Sequence, residues 1–354
     1  MKKSLKMGSA FIGIIVGAGF ASGQEILQYF TSFGMMGIFA ALISTALFAY
    51  LGMNLTRLGS RMQQPSHKEV IYGISGKILG RIVDYIIILT LFGVGVVMVA
   101  GAGSIFSQQF GLPAVLGSTL MIVLVVLTIM LNVEKVISII GSITPFLILM
   151  VVILAIYSLA TGDSSFATLD PIANEKLSAV SNWFLAGLNY ASFNIAVGAS
   201  MSIVMGSTEK DEKIAARGGL FGGLGLGILI ILSHLAIFSK IESVGDADMP
   251  MLQIANDISP TLGVFMSIIL FGMIYNTAVS MIYAFAARFV PSGTPKFKGF
   301  VVIVGVVSFI LSFVGFTKLV NEFYPIVGYL GFFLVAALVY ADFNKPKVQT
   351  APTK

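Results

Sequence analysis

Long apolar runs, separated by short polar segments, make up most of this chain of 354 residues. Ten runs are long enough to cross a membrane, because a spanning helix needs about 20 mostly apolar residues. The predicted spans cover about residues 7–31, 34–56, 79–106, 113–132, 135–160, 181–206, 214–239, 260–289, 299–316 and 322–341. Residues 60–78 are predicted as a loop with a short interfacial helix. The pattern predicts an all-α polytopic membrane protein with a single transmembrane domain over residues 1–354.

Composition agrees with this prediction and argues against several kinds of function. The mean hydropathy is +0.96, with 57% hydrophobic and 10% charged residues, values outside the range of soluble domains. Cysteine is absent, which excludes thiolate metal sites, and the two histidines make a histidine metal cluster unexpected. The sequence shows neither a nucleotide-binding loop nor a catalytic constellation. We therefore expect no enzyme and no cofactor other than a coupling ion.

Positive residues concentrate in alternate loops, which predicts the orientation in the membrane. The loops between them are neutral or acidic. The basic group comprises Lys2, Lys3, Lys6, Arg57, Arg61, Lys68, Lys77, Arg81, Lys210, Lys213, Arg217, Arg288, Lys296, Lys298, Lys345, Lys347 and Lys354. The net charge of +5 thus indicates cytoplasmic loops rather than a nucleic-acid surface, and both termini are predicted to be cytoplasmic. A cleaved N-terminal signal peptide is the alternative, and its removal would leave nine spans.

The first span carries a cluster of glycines that predicts a break in its helix. Glycines occur at positions 13, 17, 19 and 23, followed by polar residues at 24 and 25. A helix entering the membrane near Met7 reaches Gly17 after about 15 Å, half of a hydrocarbon core of about 30 Å. Unwound backbone at that depth is tolerated where it lines a cavity. We therefore predict a binding site at the middle of the membrane.

Span 6 is also polar near the membrane midplane. Asn189, Ser192 and Asn194 lie roughly 12–20 Å from its start, in a span that runs opposite to span 1. Ten spans divide into five plus five, and a repeat with an odd number of spans must be inverted. We predict a second break here, one repeat over about residues 7–160 and the other over about 181–341. The alternative is that both segments are packing sites made of small residues.

Short motifs in these two spans resemble those of a known superfamily. Gly17-Ala18-Gly19-Phe20 resembles the helix 1 signature of the amino acid–polyamine–organocation superfamily, and the segment from Trp183 to Asn194 resembles its helix 6 pattern. More narrowly, residues 17–25 resemble the YkvI family of bacterial membrane proteins, proposed amino-acid permeases. The resemblance implies a LeuT-like 5+5 inverted repeat with broken helices 1 and 6, in the bacterial cytoplasmic membrane.

A broken helix exposes free N–H groups that can hold an anion, which predicts where a solute carboxylate binds. The outer half of helix 1 is expected to supply these groups, and span 6 an aromatic wall and amide contacts. The predicted solute-binding residues are Ala18, Gly19, Ser22, Gly23, Gln24, Tyr190, Ser192, Phe193 and Asn194.

Glu25 is the only acidic residue inside the first span. In a low-dielectric environment its carboxyl can carry a proton, act as a gate or contact a solute amine. The alternative is a hydrated or paired position in the outer vestibule, since a straight helix would place Glu25 about 12 Å outward of the midplane.

The resemblance also implies a sodium site between helices 1 and 8. Carried over by position, its ligands are the carbonyls of Gly13 and Val16 and the side-chain oxygens of Asn276, Thr277 or Ser280. The adjacent pair of hydroxyls usual in the family is missing, because Asn276 precedes Thr277. Alternatively, these hydroxyls bond their own helix.

Two functions follow as expectations. The first is a secondary transporter of a small amino-acid-like, zwitterionic solute, coupled to sodium or protons. The second is a transporter-like receptor subunit that binds a small molecule and signals without transport. Neither involves nucleic acid.

Overall fold

The protein is built from helices alone in the part of the chain that the computed structural model describes, residues 1–63, 67–131, 144–162 and 164–344. The α-helices are α1 (Lys2–Ile15), α2 (Ala18–Ser22), α3 (Gln24–Tyr29), α4 (Met36–Met62), α5 (His67–Phe110), α6 (Ala114–Leu131), α7 (Thr144–Ala160), α8 (Phe166–Asn174), α9 (Trp183–Ser207), α10 (Glu212–Ser239), α11 (Ile241–Val244), α12 (Pro250–Ile258), α13 (Pro260–Phe289), α14 (Pro295–Ser312) and α15 (Phe316–Asn344). A short 3₁₀ turn, Thr31–Phe33, follows α3.

Eight helices in the described ranges are long and apolar enough to cross a membrane, namely α4, α5, α6, α9, α10, α13, α14 and α15. The shorter apolar helix α7 matches the end of predicted span 5, whose residues 135–143 lie outside the described residues. The first predicted span is divided into α1, α2 and α3. The chain is therefore a multi-pass membrane protein, and the described helices follow the order of the predicted spans.

The segment predicted as a loop at residues 60–78 is largely helical. Helix α4 continues to Met62, and α5 begins at His67, well before the predicted start of span 3 at residue 79. In the sequence, Glu69 stands three residues after Ser66, the spacing of a helix-start signal. The polar composition of this segment hid the helix, because apolar periodicity marks only the part that lies in the membrane.

Span 6 does not break. Helix α9 is continuous from Trp183 to Ser207, which corrects the predicted break. The reason is that no glycine or proline lies among residues 188–197, and the polar side chains bond a neighbouring helix instead. Asn189 Nδ2 donates to the Pro325 carbonyl at 3.0 Å, and Ser192 Oγ donates to the Gly328 carbonyl at 2.7 Å. These residues join α9 to α15.

The long helices form two packed groups. Helices α1, α4, α9 and α10 pack together, α5, α6, α13 and α14 form the other group, and α15 packs against both α9 and α5. Glycines allow the backbones of the first group to approach closely. A β-carbon at Gly8 would lie only 3.1 Å from the Gly222 nitrogen. The break between α1 and α2 therefore lies within a tightly packed bundle.

Charged residues distinguish the two ends of the bundle. At the end where the chain begins, called the basic end here, Lys3 pairs with Glu209 at 3.8 Å and Arg61 with Glu212 at 2.8 Å. Arg57 pairs there with Asp342, and Arg288 with Asp84. At the opposite end, called the acidic end, Lys176 pairs with Asp246 at 2.8 Å. Which side of the membrane each end faces stays a prediction.

Candidate functional site

The first span breaks at Val16 and Gly17, as the glycine cluster predicts. Helix α1 ends at Ile15 and α2 begins at Ala18, with Gly17 in an extended conformation between them. The Gly17 N–H donates to the Ile15 carbonyl at 2.8 Å. In a continuous helix it would instead bond the Gly13 carbonyl. The break thus frees the Gly13 carbonyl to bind another group.

A cavity of about 200 Å³ lies at this break. It is bordered by α1, α2 and α3 on one side and by α5, α9, α13 and α15 on the others. The lining residues are Gly13, Ile14, Ile15, Val16, Gly17, Gly19, Glu25, Val94, Met98, Phe193, Asn194, Val197, Met201, Met273, Asn276, Thr277, Ser280, Met281 and Tyr324. The cavity therefore brings together the predicted ion site, Glu25 and part of the predicted solute site.

Glu25 lies in the cavity wall and not in an outer vestibule. Gly23 has a positive φ of 85°, which ends α2 and turns the chain into α3, so that Glu25 faces back toward Gly19. Its side chain is buried, and Tyr190 Oη donates to Glu25 Oε2 at 3.1 Å. A β-carbon at Gly19 would overlap the carboxyl. The position expected from a straight helix was wrong because the turn at Gly23 reverses the direction of the side chain.

All five predicted sodium ligands line the same cavity, with Gly13 and Val16 on one wall and Asn276, Thr277 and Ser280 on α13. The Thr277 hydroxyl donates to the Met273 carbonyl at 3.0 Å, so it does bond its own helix. Its oxygen retains lone pairs that can coordinate a cation. Asn276 Oδ1 is buried without a hydrogen-bond partner among the described residues. This set of neutral oxygens fits a hard monovalent cation.

The predicted solute residues divide into two sets. Gly19, Phe193 and Asn194 line the cavity. Outside its wall lie Ser22, Gly23, Gln24, Tyr190 and Ser192, whose part in solute binding stays a prediction. Ser22 Oγ donates to the Gly19 carbonyl at 2.8 Å and so supports the turn after α2, while Ser192 contacts α15. Ala18 is the first residue of α2.

Comparisons with known proteins agree with this architecture. No known family profile matches the chain. It is 27% identical over 330 residues to the uncharacterized membrane protein YkvI of Bacillus subtilis, covering 93% of each chain. Its structure is similar to that of MhsT in complex with L-phenylalanine, with a TM-score of 0.67, 18% identity and coverage of 96% of this chain and 88% of MhsT. An inward-facing structure of Mhp1 gives a TM-score of 0.65, with 16% identity and coverage of 94% and 76%.

The chain has the LeuT fold. The resemblance to YkvI that the first span indicates is confirmed along nearly the whole chain. The boundaries of the two predicted repeats remain a prediction.

Within this LeuT fold, polar contacts close the acidic end of the bundle. Asp248 accepts hydrogen bonds from Ser104 Oγ at 2.8 Å and from Thr317 Oγ1 at 2.5 Å, which joins the segment before α12 to α5 and α15. Gln108 exchanges two bonds with the Met249 backbone, at 3.0 and 2.9 Å. The segment between α11 and α12 is thus held against α5 and α15 at the acidic end.

The interior side of this closure is formed by two buried glutamines. Gln28 Nε2 donates to the Thr317 carbonyl at 3.1 Å. With its amide oriented to satisfy both of its atoms, Gln24 donates to the Ala247 carbonyl at 3.1 Å and accepts from Gln28 at 2.8 Å. Gln24, predicted to bind solute, therefore belongs to the closed end instead.

The cavity extends along α9 and α13 toward the basic end. Its lining on α9 runs from Phe193 to Met201, and on α13 from Met273 to Met281, and both helices continue to the basic end. The cavity is therefore directed toward the basic end and closed toward the acidic end.

Several lining residues were not predicted from the sequence. Tyr324 stacks on Phe193 with ring centroids 4.1 Å apart. Met98, Met201, Met273 and Met281 contribute thioether side chains. Tyr324 precedes Pro325 in the last span, a signal that could have drawn attention to it. The methionines carry no such signal, because methionine also fills ordinary helix contacts.

Proposed function

We propose that this protein is an ion-coupled secondary transporter that moves a small amino-acid-like solute through the central cavity by alternating access. One observation carries the proposal: the carbonyl freed by the break, the neutral oxygens of α13 and the Glu25 carboxyl line a single cavity. An ion and a solute bound in one cavity depend on the same conformational change, and this dependence is what couples them.

An amino acid is the solute that the wall suits best. The cavity combines the aromatic rings of Phe193 and Tyr324 with a few polar groups, the usual composition of a small-molecule pocket. MhsT, to which the fold is similar, has been solved in complex with L-phenylalanine.

Either of two cations can drive transport in this proposal. Sodium would be held by the neutral oxygens of Gly13, Val16, Asn276, Thr277 and Ser280, whereas a proton would be carried by Glu25. The buried, unpartnered Asn276 Oδ1 favours sodium, because an orphaned acceptor in the same cavity as a freed carbonyl provides ligand atoms without a fixed charge.

Alternating access requires a second state in which the acidic end opens. With both termini in the cytoplasm of a bacterium, the basic end faces inward and the structure describes a state closed to the outside. The hydrogen bonds of Asp248, Gln108 and Gln28 would then break during each cycle.

Uptake into proteoliposomes tests the proposal. Purified protein is supplied with a panel of radiolabelled amino acids under an imposed sodium or proton gradient, and accumulation of at least one of them is expected. Glu25→Gln is compared with Glu242→Gln as a control. Glu242 is an exposed glutamate at the acidic end, so Glu242→Gln should retain wild-type uptake. Saturable binding of an amino acid without any uptake would instead support the receptor function.

A further inference from the structure

The charge of the cavity wall restricts the solutes that it can accept. Among the described residues that line the cavity, Glu25 is the only Asp or Glu, and none is Lys, Arg or His. A buried carboxylate needs a partner, because its transfer out of water is costly. Among the described residues, Glu25 accepts a hydrogen bond from one neutral donor, the Tyr190 hydroxyl. A cationic group of the solute would provide the missing charge.

The position of Glu25 also affects where a solute carboxylate could bind. Gly19, near the start of α2, is one of the residues predicted to bind the solute. The protein's own carboxyl lies there, close enough that a β-carbon at Gly19 would overlap it. When Glu25 is ionised, a second carboxylate beside it would experience like-charge repulsion, with no cationic side chain in the described wall to offset it.

We propose that the cavity recognises its solute by an ammonium group paired with Glu25 and that a solute carboxylate is dispensable. This inference rests on the proposed function and specifies its solute class. Part of the remaining wall is apolar and adaptable, with Met98, Met273, Met281 and Val94. The solute is therefore a primary amine with a compact apolar substituent, whether or not it also carries a carboxylate.

A consequence concerns the coupling ion. While an ammonium group occupies Glu25, that carboxyl stays ionised and carries no proton. Coupling then falls to the neutral oxygens around Asn276 and Thr277, which makes sodium the co-transported ion.

Three probes that differ only in their charged groups test the inference on the wild-type protein. Phenethylamine carries the ammonium alone, L-phenylalanine carries both groups, and 3-phenylpropionate carries the carboxylate alone. At pH 7, a saturating concentration of phenethylamine is expected to raise the melting temperature of the purified protein by about 2–4 °C, and 3-phenylpropionate to leave it unchanged. Isopentylamine, L-leucine and 4-methylpentanoate repeat the comparison with a smaller substituent.

Variants assign the effect to Glu25. Glu25→Gln should weaken binding of the amine at least about tenfold, whereas Glu242→Gln should leave it unchanged. Tyr190→Phe keeps the carboxylate and removes its hydroxyl partner, so it should retain amine binding even if Glu25→Gln fails to fold.

Equal stabilisation by 3-phenylpropionate and phenethylamine, or none by either amine, would overturn the inference. These results remain distinct from failure of the proposed function. Gradient-driven uptake of an amino acid whose amine analogue does not bind would leave transport intact and refute recognition by Glu25. Amine binding without any uptake would support recognition and refute transport.

Discussion

Gly19 sets how closely Glu25 approaches the break in the first span. A β-carbon at this position would overlap the Glu25 carboxyl, so Gly19→Ala must displace that carboxyl from its place in the cavity wall. We expect uptake to fall about tenfold or more, equivalent to ~1.4 kcal/mol of lost interaction, with the protein still inserted in the membrane. Initial uptake rates in proteoliposomes measure the effect.

Gly299→Ala is the matched control for this prediction. Gly299 lies in α14, and a β-carbon there meets no atom within 4 Å. The Gly299→Ala variant should therefore transport at the wild-type rate. A wild-type rate for Gly19→Ala as well would mean that the position of Glu25 is unimportant for transport.

Replacing Thr277 tests the predicted ion site by removing a single oxygen. Thr277→Ala removes the hydroxyl of a residue that lines the same cavity as Gly13 and Val16. If sodium drives transport, the sodium concentration for half-maximal uptake should rise about tenfold, because one ligand is lost. Thr277→Ser keeps the oxygen and should stay close to wild type. An unchanged sodium dependence in the alanine variant would exclude Thr277 as a ligand.

The turn between α2 and α3 positions Glu25 through its backbone. Gly23 has a positive φ, and a β-carbon there would lie 2.7 Å from Met251 Cγ and 3.0 Å from Ile237 Cδ1. Gly23→Ala is therefore expected to lower both stability and uptake, with backbone strain alone costing roughly 1–2 kcal/mol. Thermal unfolding and uptake of the same preparation measure the two effects.

Gly315→Ala separates the strain from the contacts. Gly315 also has a positive φ, of 97°, but its β-carbon would meet nothing within 4 Å. The Gly315→Ala variant should be destabilised by a similar backbone strain and should keep the wild-type uptake rate. If Gly23→Ala and Gly315→Ala reduce uptake equally, the turn at Gly23 has no special role in the site.

The two helices predicted to break show what a sequence can and cannot reveal. The break in span 1 was predictable because glycine weakens the helix backbone itself, and four glycines lie together. In span 6 the prediction relied on polar side chains. Asn189 and Ser192 make the same sequence pattern whether they line a break or, as observed, donate to carbonyls of another helix.

The cavity itself was predictable only in part. Gly13, Val16 and the polar residues of α13 were placed by position within a resemblance; they line one cavity, and their role as ion ligands stays a prediction. The direction of Glu25 depends on the φ angle at Gly23, which the sequence does not specify. Tyr324 belongs to the last span, about 300 residues after Glu25 in the sequence. Contacts between such distant residues leave no local sequence pattern.

The whole molecule is asymmetric, closed at the acidic end and with its cavity directed to the basic end. Because the chain has no cysteine, one introduced thiol reports access without background. Val197→Cys places it in the cavity wall. We expect a membrane-impermeant maleimide to label it from the cytoplasmic side and more slowly from outside. Asp248→Ala should speed labelling from outside, since it removes the acceptor shared by Ser104 and Thr317.

Asp257→Ala is the control for this access experiment. Asp257 is an exposed acid of the same end, and it accepts a hydrogen bond from Gln253 within α12. It should leave the labelling pattern of Val197→Cys unchanged. Identical labelling from outside with and without Asp248→Ala would show that these hydrogen bonds do not hold the end closed.

Gradient-driven accumulation tests the proposed transport most directly. The ratio of internal to external radiolabelled amino acid is measured in proteoliposomes with a sodium gradient imposed, with sodium replaced by choline at constant pH, and after an ionophore collapses the gradient. We expect a ratio well above one that requires the sodium gradient and returns to one when that gradient collapses. A ratio that never exceeds one for any amino acid of the panel, under a sodium or a proton gradient, would contradict ion-coupled transport of such solutes.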